Sequence, residues 1–160
     1  MKVLVADRLA EASLNEMRTL GVEVEYRPDL ESQELKKALT DVNVLIVRGT
    51  PVDGQAMKAG KALNLIIRAG DGTGKIDVQA ASERGIYVAN CPGKNALGVA
   101  ELTMTLIGCL DRRVVDAVVS LRSGKWEKEE FAQAQGLQGR TLGLAGFGHV
   151  GKAVARAALA

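Results

Sequence analysis

Six residues near position 150 have the types and the spacing that bind phosphate: Gly146, Phe147, Gly148, His149, Val150 and Gly151. They lie between a predicted strand at 141–145 and a predicted helix at 152–160. In that setting the first glycine permits a tight turn, the second admits a pyrophosphate to the backbone, and the third allows close packing. The helix amino terminus adds unpaired N–H groups and a positive dipole end. This glycine turn (146–151) therefore predicts dinucleotide binding, the alternative being a purely structural turn.

The single histidine of the chain, His149, lies inside the glycine turn. In that position we interpret it as a phosphate neighbour or a solvated loop residue, not as a catalytic base. An acidic residue about 20 positions beyond such a turn binds the adenine ribose in many dinucleotide sites. The sequence ends at Ala160, before that position, so NAD and NADP remain alternatives.

A second glycine-rich loop, 68–77 (RAGDGTGKID), directly follows a predicted strand. Loops at the carboxyl ends of parallel strands are where open α/β sheets bind ligands. Arg68 begins this loop, and Arg48 takes the matching position after an earlier strand. Two planar, permanently charged donors on one edge suit a carboxylate or a phosphate. The alternative is that both arginines only cap strand ends or pair with Asp53 or Asp77.

Apolar runs alternate with helical patterns along the chain, and this alternation predicts βαβ units. These units would position the residues named above. Strands are predicted at 2–6, 22–27, 44–47, 65–67 and 87–89. Helices are predicted at 10–20, 31–39, 53–58 and 78–84. Gly21 and Gly85 suit a positive φ at helix ends, and Asp29 suits a helix N-cap.

One long helix is predicted at 96–121, with apolar side chains over more than half of its circumference. Such a helix is buried on several sides, either between two layers of the core or also against a partner subunit. The polar stretch 122–140 is predicted to be a crossing linker anchored by Trp126. Cys91 and Cys109 are expected to be buried thiols, because their spacing supports neither a zinc site nor a disulfide framework.

Composition restricts the class of protein further. The 160 residues are 47% hydrophobic, 25% charged and 3% aromatic, which is typical of a soluble α/β protein and excludes disordered, collagenous and disulfide-stapled classes. Lys and Arg (21) nearly balance Asp and Glu (19), with no basic block for nucleic acid. No run is long enough for a membrane helix or a secretory signal. We expect a cytoplasmic protein with no metal site and no nucleic-acid or membrane partner.

Several motifs, in this order along the chain, resemble the D-isomer-specific 2-hydroxyacid dehydrogenases. They are 45–48 (LIVR), 68–70 (RAG), 76–77 (ID), 84–88 (RGIYV), Asn90, Pro92, Asn95, 100–103 (AELT), 124–126 (GKW), 139–143 (GRTLG) and the glycine turn. The resemblance implies an α/β fold with a flavodoxin-like parallel-sheet substrate domain at 1–95. It further implies a connecting and dimerisation helix with its linker at 96–140, and the incomplete start of a Rossmann NAD-binding domain at 141–160.

The resemblance also implies an activity: NAD-dependent oxidation of the CH–OH group of a D-2-hydroxy acid. The expected substrate is D-3-phosphoglycerate, converted to 3-phosphohydroxypyruvate in serine biosynthesis. The implied partners are this small anionic 2-hydroxy acid and, through the 96–121 helix, a second copy in a homodimer or higher oligomer. The alternative is a non-catalytic module that senses NAD(H) or dimerises.

Site residues follow from the resemblance position by position. Those expected to meet the substrate are Arg48, Arg68, Ala69 and Gly70. Those expected to meet the cofactor are Asp71, Gly146, Gly148, His149, Val150 and Gly151. The catalytic Arg, Glu and His of the family fall beyond residue 160, so we expect no catalytic residue and no activity in this fragment. Departures from the family pattern at 73–75 (TGK) and at Asp111 leave the effect on local structure open.

Overall fold

Five parallel strands form a sheet in the order β2-β1-β3-β4-β5. The strands are β1 (Lys2–Val5), β2 (Glu23–Tyr26), β3 (Val44–Val47), β4 (Leu65–Arg68) and β5 (Tyr87–Ala89). The helices between them are α1 (Glu11–Thr19), α2 (Ser32–Ala38), α3 (Gly54–Ala59) and α4 (Val78–Glu83). This is the flavodoxin-like order of a doubly wound sheet, which confirms the predicted fold class. The computed structural model describes residues 1–160, and this sheet belongs to the first of two compact units, Met1–Pro92.

The core of the first unit lies on both faces of the sheet because β3, at its centre, is buried throughout. Leu45 and Val47 of β3 face a cluster that includes Leu35 of α2 and Met57 of α3. The alternate residues of β3 face a second cluster built around Leu14 of α1. A strand buried on both faces reads as an unbroken apolar run, which is why the sequence predicted β3 with its correct bounds.

Helix ends in this unit agree with the sequence prediction at two positions and differ at a third. Gly21 and Gly85 follow helix ends with φ of +72° and +68°, as predicted. Asp29 does not cap α2, so that prediction is wrong. The helix begins after Glu31, whose backbone N–H donates to the Glu34 carboxylate at 3.3 Å. The α2 amino terminus is thus capped by its own first turn.

The second unit, Gly93–Ala160, is helical. Its elements are α5 (Ala96–Asp111), α6 (Val114–Arg122), α7 (Lys128–Phe131) and α8 (His149–Leu159). The predicted strand at 141–145 is absent, because no other segment of this unit is a strand that could pair with its backbone. The linker predicted at 122–140 contains α7. Trp126 is 78% exposed and therefore anchors nothing within the chain, contrary to the prediction.

The prediction of a single long helix at 96–121 is also wrong, because this segment forms two helices, α5 and α6, with a turn between them. Arg113 takes a left-handed conformation with φ of +50°, which is uncommon for a residue with a side chain. Its guanidinium donates to Asp116 at 3.2 Å and to Glu130 at 2.7 Å, and lies 5.1 Å from the centroid of the Phe131 ring. Contacts of the Arg113 side chain with α6 and α7 therefore stabilise the turn between α5 and α6.

Most apolar side chains of α5 and α6 are exposed, so the interpretation of this region as a core helix between two layers is wrong for residues 1–160. Only Ala96 and Ala100 are buried. Exposed members are Leu97, Val99, Leu102, Leu106, Leu110, Val114, Val115, Val118, Val119 and Leu121. None of the helices is long and apolar enough to span a membrane.

Asp111, one of the family departures, ties the end of α5 to the segment before the glycine turn. Its side chain is only 6% exposed. One carboxylate oxygen accepts from Arg140 at 3.3 Å and the other from the Gly136 backbone N–H at 3.1 Å. The added charge is thus satisfied locally. Cys91 and Cys109 are free thiols and only half-buried, which corrects the expectation that both are buried.

Candidate functional site

The carboxyl ends of three neighbouring strands carry the residues around one open cavity. Arg8 lies beyond β1, Arg48 directly after β3, and Arg68 at the end of β4. The cavity has a volume of about 440 Å³, and its lining residues are Asp7, Arg8, Pro28, Arg48, Gly49 and Arg68. We call Arg8, Arg48 and Arg68 the arginine rim. Half of the residues that line the cavity carry a permanent positive charge, so the arrangement suits an anion.

Asp7, the only acidic residue of this cavity, is occupied by backbone amides. One carboxylate oxygen accepts from the N–H groups of Arg48 (2.6 Å), Gly49 (2.9 Å) and Thr50 (3.0 Å). Burial raises the pKa of Asp7, but the three hydrogen bonds outweigh it and hold this pKa below its usual value. Asp7 therefore stays ionised and fixes the loop that carries Arg48.

Arg68 and Arg48 are joined through a backbone group. The Arg68 Nε donates to the Arg48 carbonyl oxygen at 3.3 Å, and both residues line the cavity. Neither arginine pairs with Asp53 or Asp77, because those carboxylates cap α3 and α4. The alternative that the two arginines serve as partners of these aspartates is wrong.

Gly70 lets the Arg68 side chain fold back over its own loop. A Cβ on Gly70 would lie 2.7 Å from Arg68 Nη1 and 2.9 Å from its Cζ. The backbone N–H of Ala69 donates to the Val47 carbonyl at 2.7 Å, and that of Gly70 to the Arg68 carbonyl at 2.8 Å. The structure thus brings the predicted substrate residues together, with the Ala69 amide paired to β3 and the Gly70 amide paired within its own loop.

The departure at 73–75 adds a cross-link between two loops of the site. Lys75 Nζ donates to the Gly49 carbonyl at 2.9 Å, and the Lys75 carbonyl accepts from Val52 N at 2.9 Å. On the other side, the Asn90 side-chain amide donates to the Asp71 carbonyl. Hydrogen bonds therefore connect the loops after β3, β4 and β5, and Asp71 lies within that connected set.

The glycine turn of the second unit leads directly into the amino terminus of α8. Gly146 has φ of +104°, which favours glycine, and Gly148 is the N-cap of α8. A Cβ on Gly151 would lie 2.4 Å from the Gly146 carbonyl oxygen, whereas one on Gly148 would meet nothing within 4 Å. The first bond inside α8 runs from Lys152 N to the Gly148 carbonyl at 3.0 Å. The amides before Lys152 in the helix thus lack partners within it, as at any helix start.

His149 is the first residue of α8 and is exposed. Its ring lies beside Gly93, since a Cβ there would be 3.0 Å from His149 Cδ2. Its ring is not paired with a carboxylate. A histidine that acts as a catalytic base is usually oriented by one. No group of three metal-ligating side chains is present.

Sequence reasoning missed Asp7, Arg8 and Lys75. A weak signal existed for the first two, since charged residues that directly follow a buried parallel strand lie at the ligand-binding edge. No such signal existed for Lys75, because its hydrogen bond to Gly49 joins loops that are 26 positions apart.

Known proteins resemble this chain over most of its length. The sequence model described as "D-isomer specific 2-hydroxyacid dehydrogenase, catalytic domain" matches residues 3–158. A hydroxypyruvate reductase of Thermotoga maritima is 49% identical over 132 residues, covering 82% of this chain and 43% of that protein. A D-3-phosphoglycerate dehydrogenase of Archaeoglobus fulgidus is 39% identical over 157 residues, covering 98% of this chain and 30% of that protein. The chain thus spans less than half the length of these two relatives.

Solved structures show the same similarity. A crystal structure of a Thermus thermophilus protein has a TM-score of 0.91 and 36% identity, covering 99% of this chain and 53% of that one. The NAD⁺-bound 3-phosphoglycerate dehydrogenase of Entamoeba histolytica has a TM-score of 0.79 and 30% identity, covering 99% of this chain and 50% of that one.

Proposed function

This chain belongs to the D-isomer-specific 2-hydroxyacid dehydrogenase family, and we propose that it supplies the substrate-binding rim and the pyrophosphate turn of an NAD-dependent oxidoreductase. The reaction oxidises the C2 hydroxyl of a D-2-hydroxy acid to a ketone, with loss of a hydride from C2 and of the hydroxyl proton. The observation that carries the proposal is the arginine rim, which places three guanidinium groups around one cavity.

The glycine turn fits the pyrophosphate of a dinucleotide. Open space over Gly148 lets a phosphate approach the backbone, and the first amides of α8 supply donors. When bound, NAD⁺ supplies the hydride acceptor. Gly146, Gly148, His149, Val150 and Gly151 would hold its pyrophosphate, with Asp71 on the nicotinamide side. NADP remains the alternative, because the ribose-binding acid lies about 20 residues beyond such turns.

The proposed substrate is D-3-phosphoglycerate, oxidised to 3-phosphohydroxypyruvate in serine biosynthesis. The Archaeoglobus and Entamoeba relatives carry names for that reaction. A second candidate, reduction of hydroxypyruvate, is favoured by the 49% identity to the Thermotoga relative. Both substrates are three-carbon carboxylates. D-3-phosphoglycerate carries a phosphate and a C2 hydroxyl, whereas hydroxypyruvate has no phosphate and a C2 ketone. We propose that Arg48 and Arg68 meet the acidic substrate, with the backbone around Ala69 and Gly70 near its carboxylate.

The catalytic Arg, Glu and His of the family have no counterpart that we assign in residues 1–160. We therefore propose that these residues alone give no turnover. The functional division into a substrate domain (1–95), a connecting helix with its linker (96–140) and the start of an NAD-binding domain (141–160) stays a prediction, as does a cytoplasmic location.

Binding of D-3-phosphoglycerate is the direct test of the arginine rim. Arg68→Gln is expected to weaken binding about tenfold, because it removes a charge-assisted hydrogen-bond donor. Affinity is measured by calorimetric titration, and the site is mapped by amide chemical shifts. Arg18→Gln is the matched control, since Arg18 lies on α1 in an exposed pair with Glu11.

Unchanged affinity in Arg68→Gln would contradict the proposal and favour the non-catalytic alternative. A module that only senses NAD(H) needs no anion at the arginine rim, so it would respond to NADH in both proteins equally. Chemical-shift changes confined to the second unit would lead to the same conclusion.

We propose that the chain self-associates through the exposed apolar side chains of α5 and α6. Leu102, Leu106 and Leu110 recur every four residues and are 59%, 54% and 79% exposed. Apolar surface of this kind marks interaction sites, and we propose a second copy as the partner.

Leu106→Lys is expected to weaken self-association at least about tenfold, because a lysine in an apolar interface must lose its hydration. Light scattering after size exclusion measures the effect. Leu20→Lys is the control, since Leu20 is 74% exposed on the first unit, at the end of α1. A wild-type chain that stays monomeric at high concentration would refute the proposal.

A further inference from the structure

Lys75 is a residue of the first unit whose side chain reaches a neighbouring loop, and the proposed function gives it no role. It belongs to the segment 73–75, where the chain departs from the family pattern. Its Nζ donates to the Gly49 carbonyl oxygen at 2.9 Å, across 26 positions of sequence. Gly49 lines the cavity of the arginine rim, whereas Lys75 does not. An effect of Lys75 on a ligand in this cavity would therefore pass through Gly49.

The backbone of Lys75 is fixed by a short parallel bridge between the same two loops. The Val52 N–H donates to the Lys75 carbonyl at 2.9 Å, and the Asp77 N–H donates to the Val52 carbonyl at 2.9 Å. Ile76, between Lys75 and Asp77, is buried in the core of the unit. The base of the Lys75 side chain is thus held in place, and its Nζ approaches Gly49 from a fixed point.

Side chains bond the backbone polar groups of the residues that Lys75 reaches. The Gly49 N–H donates to Asp7 Oδ2 at 2.9 Å, and the Gly49 carbonyl accepts from Lys75. The Arg48 N–H donates to the same Asp7 oxygen at 2.6 Å, and the Arg48 carbonyl accepts from Arg68 Nε at 3.3 Å. These four groups depend on side chains from three other places in the chain, and Lys75 supplies the donor for one of them.

Loss of the Lys75 ammonium would affect the loop of Arg48 more than the fold. Lys75 is exposed and Gly49 is only half-buried, so water can replace the lost donor. Water does not restrain the loop, however, and the loop would sample more conformations before a ligand binds. Those conformations must be given up on binding. The cost therefore falls on affinity and much less on stability.

We propose that Lys75 is a positioning residue of the substrate site: by bonding the Gly49 carbonyl, it keeps the loop after β3 in the conformation that presents Arg48 to the ligand. Lys75 itself does not contact the ligand. This inference rests on the proposed function, because it takes the arginine rim as the substrate site. It also gives the departure at 73–75 a role in binding.

Lys75→Met removes the ammonium donor but keeps an unbranched side chain. It is expected to weaken binding of D-3-phosphoglycerate about threefold to tenfold, as the loss of one hydrogen bond would give. The melting temperature is expected to stay within about 2 °C of the wild type. Lys75→Arg keeps a charged donor and is expected to recover most of the affinity. Lys61→Met is the matched control, because Lys61 precedes β4 and so lies toward the opposite edge of the sheet.

Two further measurements separate positioning from the loss of a charge near the site. Amide exchange of Gly49 and Thr50 in the ligand-free chain is expected to quicken in Lys75→Met, because both N–H groups donate to Asp7 from a loop that is then looser. The relative loss of affinity is expected to persist at about 0.5 M salt, since salt screens exposed charges but does not replace a hydrogen bond.

Each outcome has a separate meaning. If Lys75→Met binds the ligand as tightly as the wild type, or if Lys61→Met loses as much affinity, the positioning role of Lys75 is overturned. It is also overturned if the loss disappears at high salt while the Gly49 and Thr50 amides exchange at the wild-type rate. If Arg68→Gln still weakens binding in those cases, the proposed function stands without Lys75. If Arg68→Gln binds normally, the proposed function itself fails.

Discussion

Replacing Gly151 with alanine is expected to disrupt the glycine turn and to destabilise the second unit by about 3 kcal/mol. The added Cβ would lie 2.4 Å from the carbonyl oxygen of Gly146 and 3.2 Å from its carbon. Both are backbone atoms, so no side chain can move aside to make room. Gly146 itself has φ of +104°, a conformation that favours glycine.

Gly148→Ala is the matched control within the same turn. A Cβ there meets nothing within 4 Å, and its φ of −78° suits any residue. We expect this variant to melt like the wild type but to bind NAD⁺ less tightly, because the methyl group occupies the space of the phosphate. Thermal unfolding and the amide shifts of α8 report the fold, and saturation-transfer NMR reports NAD⁺. Normal melting of Gly151→Ala would contradict the packing argument.

Replacing Asp7 with alanine is expected to lower the free energy of unfolding by about 3 kcal/mol at pH 7, because three backbone N–H groups lose their acceptor. Those N–H groups belong to Arg48, Gly49 and Thr50. The loop that presents Arg48 would loosen, so affinity for D-3-phosphoglycerate should also fall about tenfold or more. Asp29→Ala removes an exposed carboxylate near the same rim and should change stability by less than about 0.5 kcal/mol.

The effect of Asp7 has a defined dependence on pH. Its pKa in the folded state is held below the unfolded value, which is about 3.9. The stabilisation is therefore fully present above about pH 3.9 and is lost as the pH falls through the lower, folded-state pKa. Urea unfolding of wild type and Asp7→Ala between pH 7 and pH 3 tests this sign. A difference between them that stays constant or grows on acidification would contradict it.

The sequence by itself determined the strands of the first unit, because local patterns decide where a buried strand lies. An unbroken run of β-branched and aliphatic residues predicted β3 at 44–47, and the structure has it there. Gly21 and Gly85 marked helix ends because a left-handed residue there needs no partner elsewhere in the chain. Family membership could also be inferred from the sequence, since the motifs and their order are visible without any knowledge of contacts.

Tertiary structure decided which charged side chains act together. Asp7 contacts the loop of Arg48 across 41 positions of sequence, and Lys75 reaches Gly49 across 26. The break at Arg113 depends on Glu130, 17 residues away in another helix. Such hydrogen bonds produce no periodic pattern in the sequence, because they join residues that only the folded chain brings close together. For the same reason the apolar pattern of 96–121 predicted a helix but could not show that its leucines are exposed.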